Sequence, residues 1–167
     1  MSATSCPGCG VVLPDIPDGP TRAYMVSSTG CWAAFGELLA REFGDPASFA
    51  VHRLTVDTYA VQHPGGDARR QRQSVAVHLI GLCQTLELRI PPRLLLDVTR
   101  RLTASPLEWP YLEPPASYAL TVTHARDAGD AEAYVRLVTE WADATWQAWS
   151  AHHGLVRRWA DEWRGKA

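Results

Sequence analysis

The sequence predicts an all-α protein, a helical bundle of four to five helices preceded by an N-terminal arm with a zinc-knuckle-like CxxC motif. Three observations lead to this prediction. Apolar residues recur at helical spacing from residue 30 onward, and caps, glycines and prolines interrupt them at short intervals. Residues 1–29 hold four of the twelve prolines and no helical period. We therefore expect a cysteine-containing arm over residues 1–29 packed on a single α-helical domain over residues 30–167.

The first two predicted helices form a hairpin. Apolar residues from Cys31 onward follow a helical period until Gly44, which ends the first helix. Asp45 and Pro46 are an N-cap and a first-turn proline, and they begin a second helix that extends to His63. Because the connection is so short, we expect the two helices to run antiparallel.

The remaining helices follow the same rules. A third helix is predicted over residues 68–89 and a shorter fourth over residues 91–102. Four prolines between residues 105 and 115 predict an ordered loop that packs its aromatic rings on the bundle. Asp130 caps a long, tryptophan-rich final helix, with a bend expected at Gly154.

Composition excludes several classes of protein. Sixteen Lys and Arg against eighteen Asp and Glu leave a net charge of -2, which is too balanced for a protein that mainly neutralises phosphates, so no nucleic acid is expected as a partner. No basic region precedes an apolar run, and no stretch of roughly eighteen apolar residues occurs, so we expect no membrane partner or secretion. The spacing of the four cysteines fits a reducing compartment, and the predicted location is cytoplasmic.

The CPGCG sequence at residues 6–10 is the strongest local signal. Cys6 and Cys9 form a tight knuckle of the kind that directs two thiolates at one tetrahedral ion. A closed zinc site needs four ligands, and the chain has no second CxxC. In an antiparallel hairpin, Cys31 lies level with about position 58, and His63 is roughly 7 Å further along. We therefore predict that Cys6, Cys9, Cys31 and His63 hold a structural zinc ion that fastens the arm to the bundle.

Several histidines and a tyrosine lie along the predicted helix faces. His52 and His63 are eleven residues apart, roughly 16 Å along the axis, so they must belong to separate sites. An antiparallel third helix brings His78 beside His52, and His152 lies on one tryptophan-bearing face of the last helix. We predict a His-lined pocket in which His52, His78 and His152 hold a second divalent metal, with Tyr59 as a nearby hydrogen-bond donor.

This pocket suggests catalysis. A metal with an open position supports metal-assisted hydrolysis or transfer on a small molecule. Without a metal, His52 or His78 beside Tyr59 is a candidate general base, which makes these three residues the candidate catalytic set. Alternatively, the histidines are core residues that bind neighbouring carbonyl or hydroxyl groups. Asp57 is expected to form an ordinary ion pair with Arg53 one turn away, unless another helix contacts it.

Two non-enzymatic functions compete with this one, so whether the protein is an enzyme stays open. In the first, the zinc-stapled arm and the tryptophan-rich helix form a surface for a protein partner. In the second, the protein is a thiol redox sensor that loses zinc when Cys6 and Cys9 oxidise to a disulfide. If the CxxC binds no metal, it is an exposed thiol pair and Cys31 is a small buried apolar residue.

Six segments carry a family resemblance, in chain order CPGCG, GCWAAFGELLAREF, HRLTVDTYAVQHPG, QSVAVHLIGLC, LEPP and WQAWSAHHGLVRRW. On these segments the chain resembles the bacterial family catalogued as domain of unknown function 5946 over nearly its whole length. The resemblance implies a self-contained, cytoplasmic small protein. It implies no reaction and assigns no catalytic residue.

Overall fold

The computed structural model describes residues 2–164, which form a bundle of helices with one small sheet. The helices are α1 Thr29–Gly44, α2 Pro46–Phe49, α3 His52–Gln62, α4 Arg69–Leu86, α5 Pro92–Ala104, α6 Thr123–Arg126, α7 Ala131–Ala148 and α8 His153–Arg164. The strands β1 Ala3–Ser5 and β2 Val12–Pro14 pair antiparallel, with Thr4 opposite Leu13. The body is helical as predicted, but the arm contains a hairpin, so the protein is not strictly all-α.

The described residues form eight α-helices rather than four to five, because two predicted helices are divided and α6 was not expected. The second predicted helix is interrupted between α2 and α3, where the Val51 amide donates to Ser48 O, only three residues back. The final helix is interrupted by a 3-10 turn at Ser150–His152, just before Gly154, where the bend was expected. Apolar spacing continues across both breaks, so it could not reveal them.

Helix α3 lies at the centre of the bundle, against α4 and α7. Eight of its eleven residues are buried, namely Leu54, Thr55, Asp57, Thr58, Tyr59, Ala60, Val61 and Gln62. Because neighbouring elements cover α3 on more than one side, its polar residues are buried together with its apolar ones. The C-cap residue His63 is also fully buried. Helix α3 therefore presents polar groups to the interior along its whole length.

The proline-rich loop packs one of its two aromatic rings on the bundle, whereas Tyr111 is exposed. Trp109 is buried and meets Trp159 edge to face, with their ring centroids 5.0 Å apart. No helix within residues 2–164 is long and apolar enough to cross a membrane. The division into an arm over residues 1–29 and a domain over residues 30–167 stays a prediction, and residues 1 and 165–167 lie outside the described part of the chain.

Candidate metal centre

The CPGCG knuckle is the turn between β1 and β2. The Cys6 amide donates to Val11 O at 2.8 Å, and the Gly10 amide donates to Cys6 O at 2.9 Å. Gly10 has a φ of 80°, which lies in the left-handed region that glycine adopts without steric cost. Both cysteines are buried. The local sequence therefore closes a tight loop that turns two thiols towards the protein interior.

Cys31 lies in the first turn of α1. The Ser28 hydroxyl caps this helix by accepting a hydrogen bond from the Cys31 amide at 3.2 Å. The Cys31 side chain has no exposed surface. The cap at the start of α1 therefore fixes this thiol in the protein interior.

His63 has a fixed orientation at the C-cap of α3. Its Nδ1–H donates to Tyr59 O at 2.6 Å, which leaves Nε2 as the nitrogen with a free lone pair. Nε2 lies 3.2 Å from the Cys31 sulfur. The rings of Tyr59 and His63 stack at 3.9 Å, and the Tyr59 hydroxyl donates to the Cys31 sulfur at 3.6 Å. Tyr59 therefore positions the ring and contacts a thiol, which is the usual role of residues that surround a metal ligand.

The four predicted residues come together in one cluster. Their ligand atoms, the sulfurs of Cys6, Cys9 and Cys31 and a ring nitrogen of His63, all lie within 4.8 Å of one another. The sulfurs of Cys9 and Cys31 are 3.8 Å apart. Tetrahedral zinc with Zn–S bonds of about 2.3 Å places two sulfurs about 3.8 Å apart, whereas a disulfide needs about 2.05 Å. The spacing therefore fits a shared ion, and all three cysteines are free.

The three thiols of the cluster strongly change one another's pKa values. Hydrogen bonds from Cys31 and Cys9 lower the pKa of Cys6 far below its ordinary value. The pKa of Cys31 is raised, because this thiol donates to Cys6 and Cys9 and is buried. For Cys9 the hydrogen bond with Cys31 favours the thiolate, but the Cys6 thiolate and burial outweigh it and raise the pKa to about 11. Three adjacent thiols can all ionise only if a positive ion neutralises them.

His52 lies away from this cluster and pairs with a buried carboxylate. Its Nδ1–H donates to Glu42 at 2.6 Å, and the hydroxyl of Tyr134 donates to the same carboxylate at 2.7 Å. The hydroxyl of Thr55 donates to it as well. Burial and the hydrogen bond to Glu42 raise the pKa of Tyr134, so its hydroxyl stays a donor at neutral pH. The carboxylate of Glu42 is thus satisfied by three donors.

His78 pairs with a second buried carboxylate. Its Nδ1–H donates to Asp57 at 2.6 Å, and Arg53 Nε donates to the other oxygen of Asp57 at 2.6 Å. Asp57 has no exposed surface. The ion pair of Asp57 with Arg53 was predicted. The hydrogen bond from His78 was not, and it comes from α4, where the Asp57 carboxylate also packs against Gly81.

The structure does not bring together the three histidines of the predicted second site. Among residues 2–164, the only group of three or more Cys, His, Asp or Glu arranged to hold a metal is the Cys3His cluster. His152 Nε2–H donates to the carbonyl of Glu113 at 2.9 Å, and His52 and His78 line different cavities. Tyr59 belongs to the cysteine cluster and is not placed beside either proposed base. The three-histidine pocket is therefore replaced by two separate histidine–carboxylate pairs.

Glu42 was not among the predicted site residues, although the sequence carries a signal for it. Glu42 lies four residues after Leu38 and seven after Phe35, so it occupies the buried stripe of α1. A carboxylate on such a stripe must find donors, and the nearest sequence candidate was His52. The contact of Asp57 with His78 was harder to predict, because apolar periodicity does not show that α4 covers this side of α3.

The comparisons with known proteins give one match. The model of the family of unknown function DUF5946 matches residues 4–150 of the 167-residue chain, as the resemblance predicted. Neither a curated protein nor a solved structure matches the chain significantly. The chain belongs to the family of unknown function DUF5946.

Proposed function

We propose that this protein is a helical zinc-binding protein in which Cys6, Cys9, Cys31 and His63 hold one structural Zn²⁺. The observation that carries the proposal is the convergence of four buried ligand atoms within 4.8 Å. They come from separate parts of the chain, the knuckle, the start of α1 and the end of α3. The ion would therefore fasten the arm to two helices at once.

The donor set favours zinc. Three thiolates and one imidazole are a standard structural zinc set, and these soft ligands disfavour magnesium or calcium. Four protein ligands fill a tetrahedral ion completely, so no position is left for water or a substrate. The closed set supports a structural role over metal-assisted hydrolysis.

The arm gains its order from this site. Each strand of its hairpin is only three residues long, and β1 is exposed throughout. A two-stranded hairpin of this size is marginally stable in water. Zinc binding energy acts as folding energy in such segments. We propose that the arm folds on the bundle only with its ion bound.

Elemental analysis of the purified protein tests the proposal. We expect one zinc per chain in the wild type and a substoichiometric amount in Cys31→Ser and His63→Ala. Cys83→Ser is the matched control, because Cys83 is also buried but lies outside the cluster, and burial together with the Glu87 carboxylate raises its pKa to about 12. His78→Ala controls for the loss of a histidine. Wild-type protein without metal, or full zinc in Cys31→Ser, would refute the site.

A redox role at the same thiols is the alternative. The four free cysteines agree with the cytoplasmic location that we propose. If the protein is a redox sensor, peroxide releases zinc and mass spectrometry finds a Cys6–Cys9 disulfide at low oxidant concentrations. Retention of zinc and free thiols under these conditions supports the purely structural role.

The Asp57–His78 pair supports a second candidate function, acid–base chemistry on a small anion. Asp57 fixes Nδ1 of the imidazole, so Nε2 is the nitrogen left to exchange a proton. His78 lines a cavity of about 390 Å³ together with Arg69 and Arg70. Arg69 pairs with Glu108 at 3.1 Å, so the positive charge in this cavity comes mainly from Arg70. Titration with pyrophosphate tests this function. We expect a shift of the His78 ring resonances that disappears in Arg69→Ala/Arg70→Ala, and unchanged resonances would contradict it.

A further inference from the structure

A cavity with an apolar floor is formed by residues that do not belong to the cysteine cluster. It has a volume of about 780 Å³ and is formed by the segment after α4, by α5 and by the end of α8. Its apolar floor consists of Leu88, Ile90, Pro91, Leu94 and Val98. Cavities that bind small molecules usually measure about 300–1,000 Å³ and are mostly apolar with a few polar groups. This cavity has the size and the floor of such a site.

The rim of the cavity is strongly positive. Five arginines line it, at positions 89, 93, 100, 101 and 164, against the single acidic residue Asp97. Within the described part of the chain, Arg89, Arg93 and Arg101 have no carboxylate within 4.0 Å, and the pairs of the other two are long, 3.9 Å to Asp97 and 3.7 Å to Asp161. The chain as a whole carries a net charge of -2. The positive charge is therefore concentrated at this cavity and largely uncompensated.

Arg89 has an unfavourable backbone conformation. Its φ is 53°, in the left-handed region where a side chain costs energy and glycine does not. The amide of the next residue, Ile90, is held by Gln84 O at 3.0 Å, which fixes the turn after α4. Backbone strain of this kind often occurs at binding sites. Here the strained position carries one of the arginines that line the cavity.

We propose that this cavity binds a small amphipathic anion, with a carboxylate or phosphate headgroup at the arginines and an alkyl or aryl tail on the apolar floor. Guanidinium groups bind both headgroups through paired, charge-assisted hydrogen bonds. The floor requires the tail, because an inorganic anion would leave Leu94 and Ile90 in water. The proposal is independent of the zinc site, since no lining residue is a member of the cysteine cluster.

Isothermal titration calorimetry of the purified protein tests the proposal. Decanoate and decyl phosphate are the anionic probes, acetate lacks the tail, and decyltrimethylammonium carries the opposite charge. We expect binding of one or both anionic probes and none of acetate or the cation at the same concentrations. If neither anionic probe binds, the proposal is wrong. If the cation binds as well as decanoate, the cavity is only an apolar surface and the proposal is also wrong.

Three variants locate the binding site. Arg93→Glu should weaken binding of the bound probe about tenfold or more, because it replaces attraction by repulsion. Arg89→Gly should also weaken it, while the melting temperature stays the same or rises because glycine relieves the left-handed strain. Arg136→Glu is the matched control on α7, where Arg136 is exposed and pairs with Glu140 outside the cavity. Equal affinity in Arg93→Glu and wild type would overturn the assignment, and unchanged circular dichroism spectra in all variants exclude misfolding.

Discussion

The cysteine cluster and the Asp57–His78–Arg53 group are both buried polar sites built on α3, yet they differ in how their polar atoms are paired. Around Asp57, each carboxylate oxygen meets a donor at 2.6 Å, one from His78 and one from Arg53. In the cluster, three sulfurs and one imidazole nitrogen converge within 4.8 Å, and the Tyr59 hydroxyl donates to one of these sulfurs.

This difference shows how to recognise a metal site among buried histidines. A group in which each acceptor faces a donor is complete without an ion. In a group of converging thiols and an imidazole nitrogen, a cation at the centre can satisfy all the lone pairs at once. His63, His52 and His78 look alike in the sequence, and only the atoms around their free nitrogens separate them.

Removing the ion should have the largest effect. An ion present at about a thousand times its dissociation constant stabilises the folded state by about 4 kcal/mol. For a chain of this length we expect chelation to lower the melting temperature by about 8–16 °C. Differential scanning calorimetry with and without a chelator measures this shift. The Cys31→Ser variant should melt at one temperature in both conditions, and a wild type unaffected by the chelator would contradict the account.

Disrupting the Asp57–His78–Arg53 group should lower the free energy of unfolding slightly less than chelation does. The zinc should stay bound. Asp57→Asn removes the charge that Arg53 and His78 contact, and such a buried break costs about 3 kcal/mol. Guanidinium unfolding measures the loss, and elemental analysis of the folded variant should still find one zinc per chain. Asp143→Asn is the matched control on an exposed position of α7. Loss of zinc from folded Asp57→Asn would show that the two sites are not independent.

A side chain at Gly8 in the knuckle should weaken zinc binding without removing a ligand atom. A Cβ on Gly8 would lie 2.5 Å from Val26 O and 2.6 Å from Cδ2 of His63. Gly8→Ala must therefore displace the knuckle from the imidazole, which we expect to cost about 2 kcal/mol and to lower zinc affinity.

A competition titration against a chromophoric chelator measures this affinity. The matched control is Gly36→Ala in α1, where a Cβ meets nothing within 4 Å. This control should keep its zinc affinity and gain about 0.5–1 kcal/mol of stability, because alanine favours helix more than glycine does. Equal zinc affinities in the two variants would argue against the close contact between knuckle and imidazole.

The smallest effect is expected at Glu87, a partly exposed carboxylate that pairs with donors from two helices. A hydrogen bond from Arg157, helped by the indole of Trp146, lowers the pKa of Glu87 to about 2 despite partial burial. Because its pKa is lowered in the folded protein, Glu87 stabilises the folded state at pH values above its ordinary pKa of about 4.5. This contribution is lost as the pH falls towards 2. We expect Glu87→Gln to melt about 2–4 °C below wild type at pH 7.

Thermal melts from pH 7 to pH 4 measure the difference in melting temperature between wild type and Glu87→Gln. The gap between wild type and Glu87→Gln should begin to close below about pH 5 as Glu87 takes up its proton in the unfolded chain. Zinc loss at acid pH affects both proteins alike, so it does not change the comparison. A gap that widened with falling pH would contradict the assigned direction.

The sequence sufficed for part of this picture. The knuckle spacing and the short turn after Gly44 were enough to name the four residues that meet in the cluster. Apolar periodicity also located most helices, but not the breaks at Val51 and at Ser150–His152, where the apolar pattern continues. The partners of His52 and His78 lie on other helices, and helix packing cannot be read from one periodic stripe. The arginine-lined cavity likewise requires the arrangement of α5 and α8.

In the site that we propose, three cysteines and one histidine share a single zinc ion. X-ray absorption at the zinc edge of the purified protein tests it most directly, because it reports the atoms bound to the metal. We expect three sulfurs at about 2.3 Å and one nitrogen at about 2.0–2.1 Å. A first shell composed of oxygen and nitrogen, or one with fewer than three sulfurs, would contradict the claim.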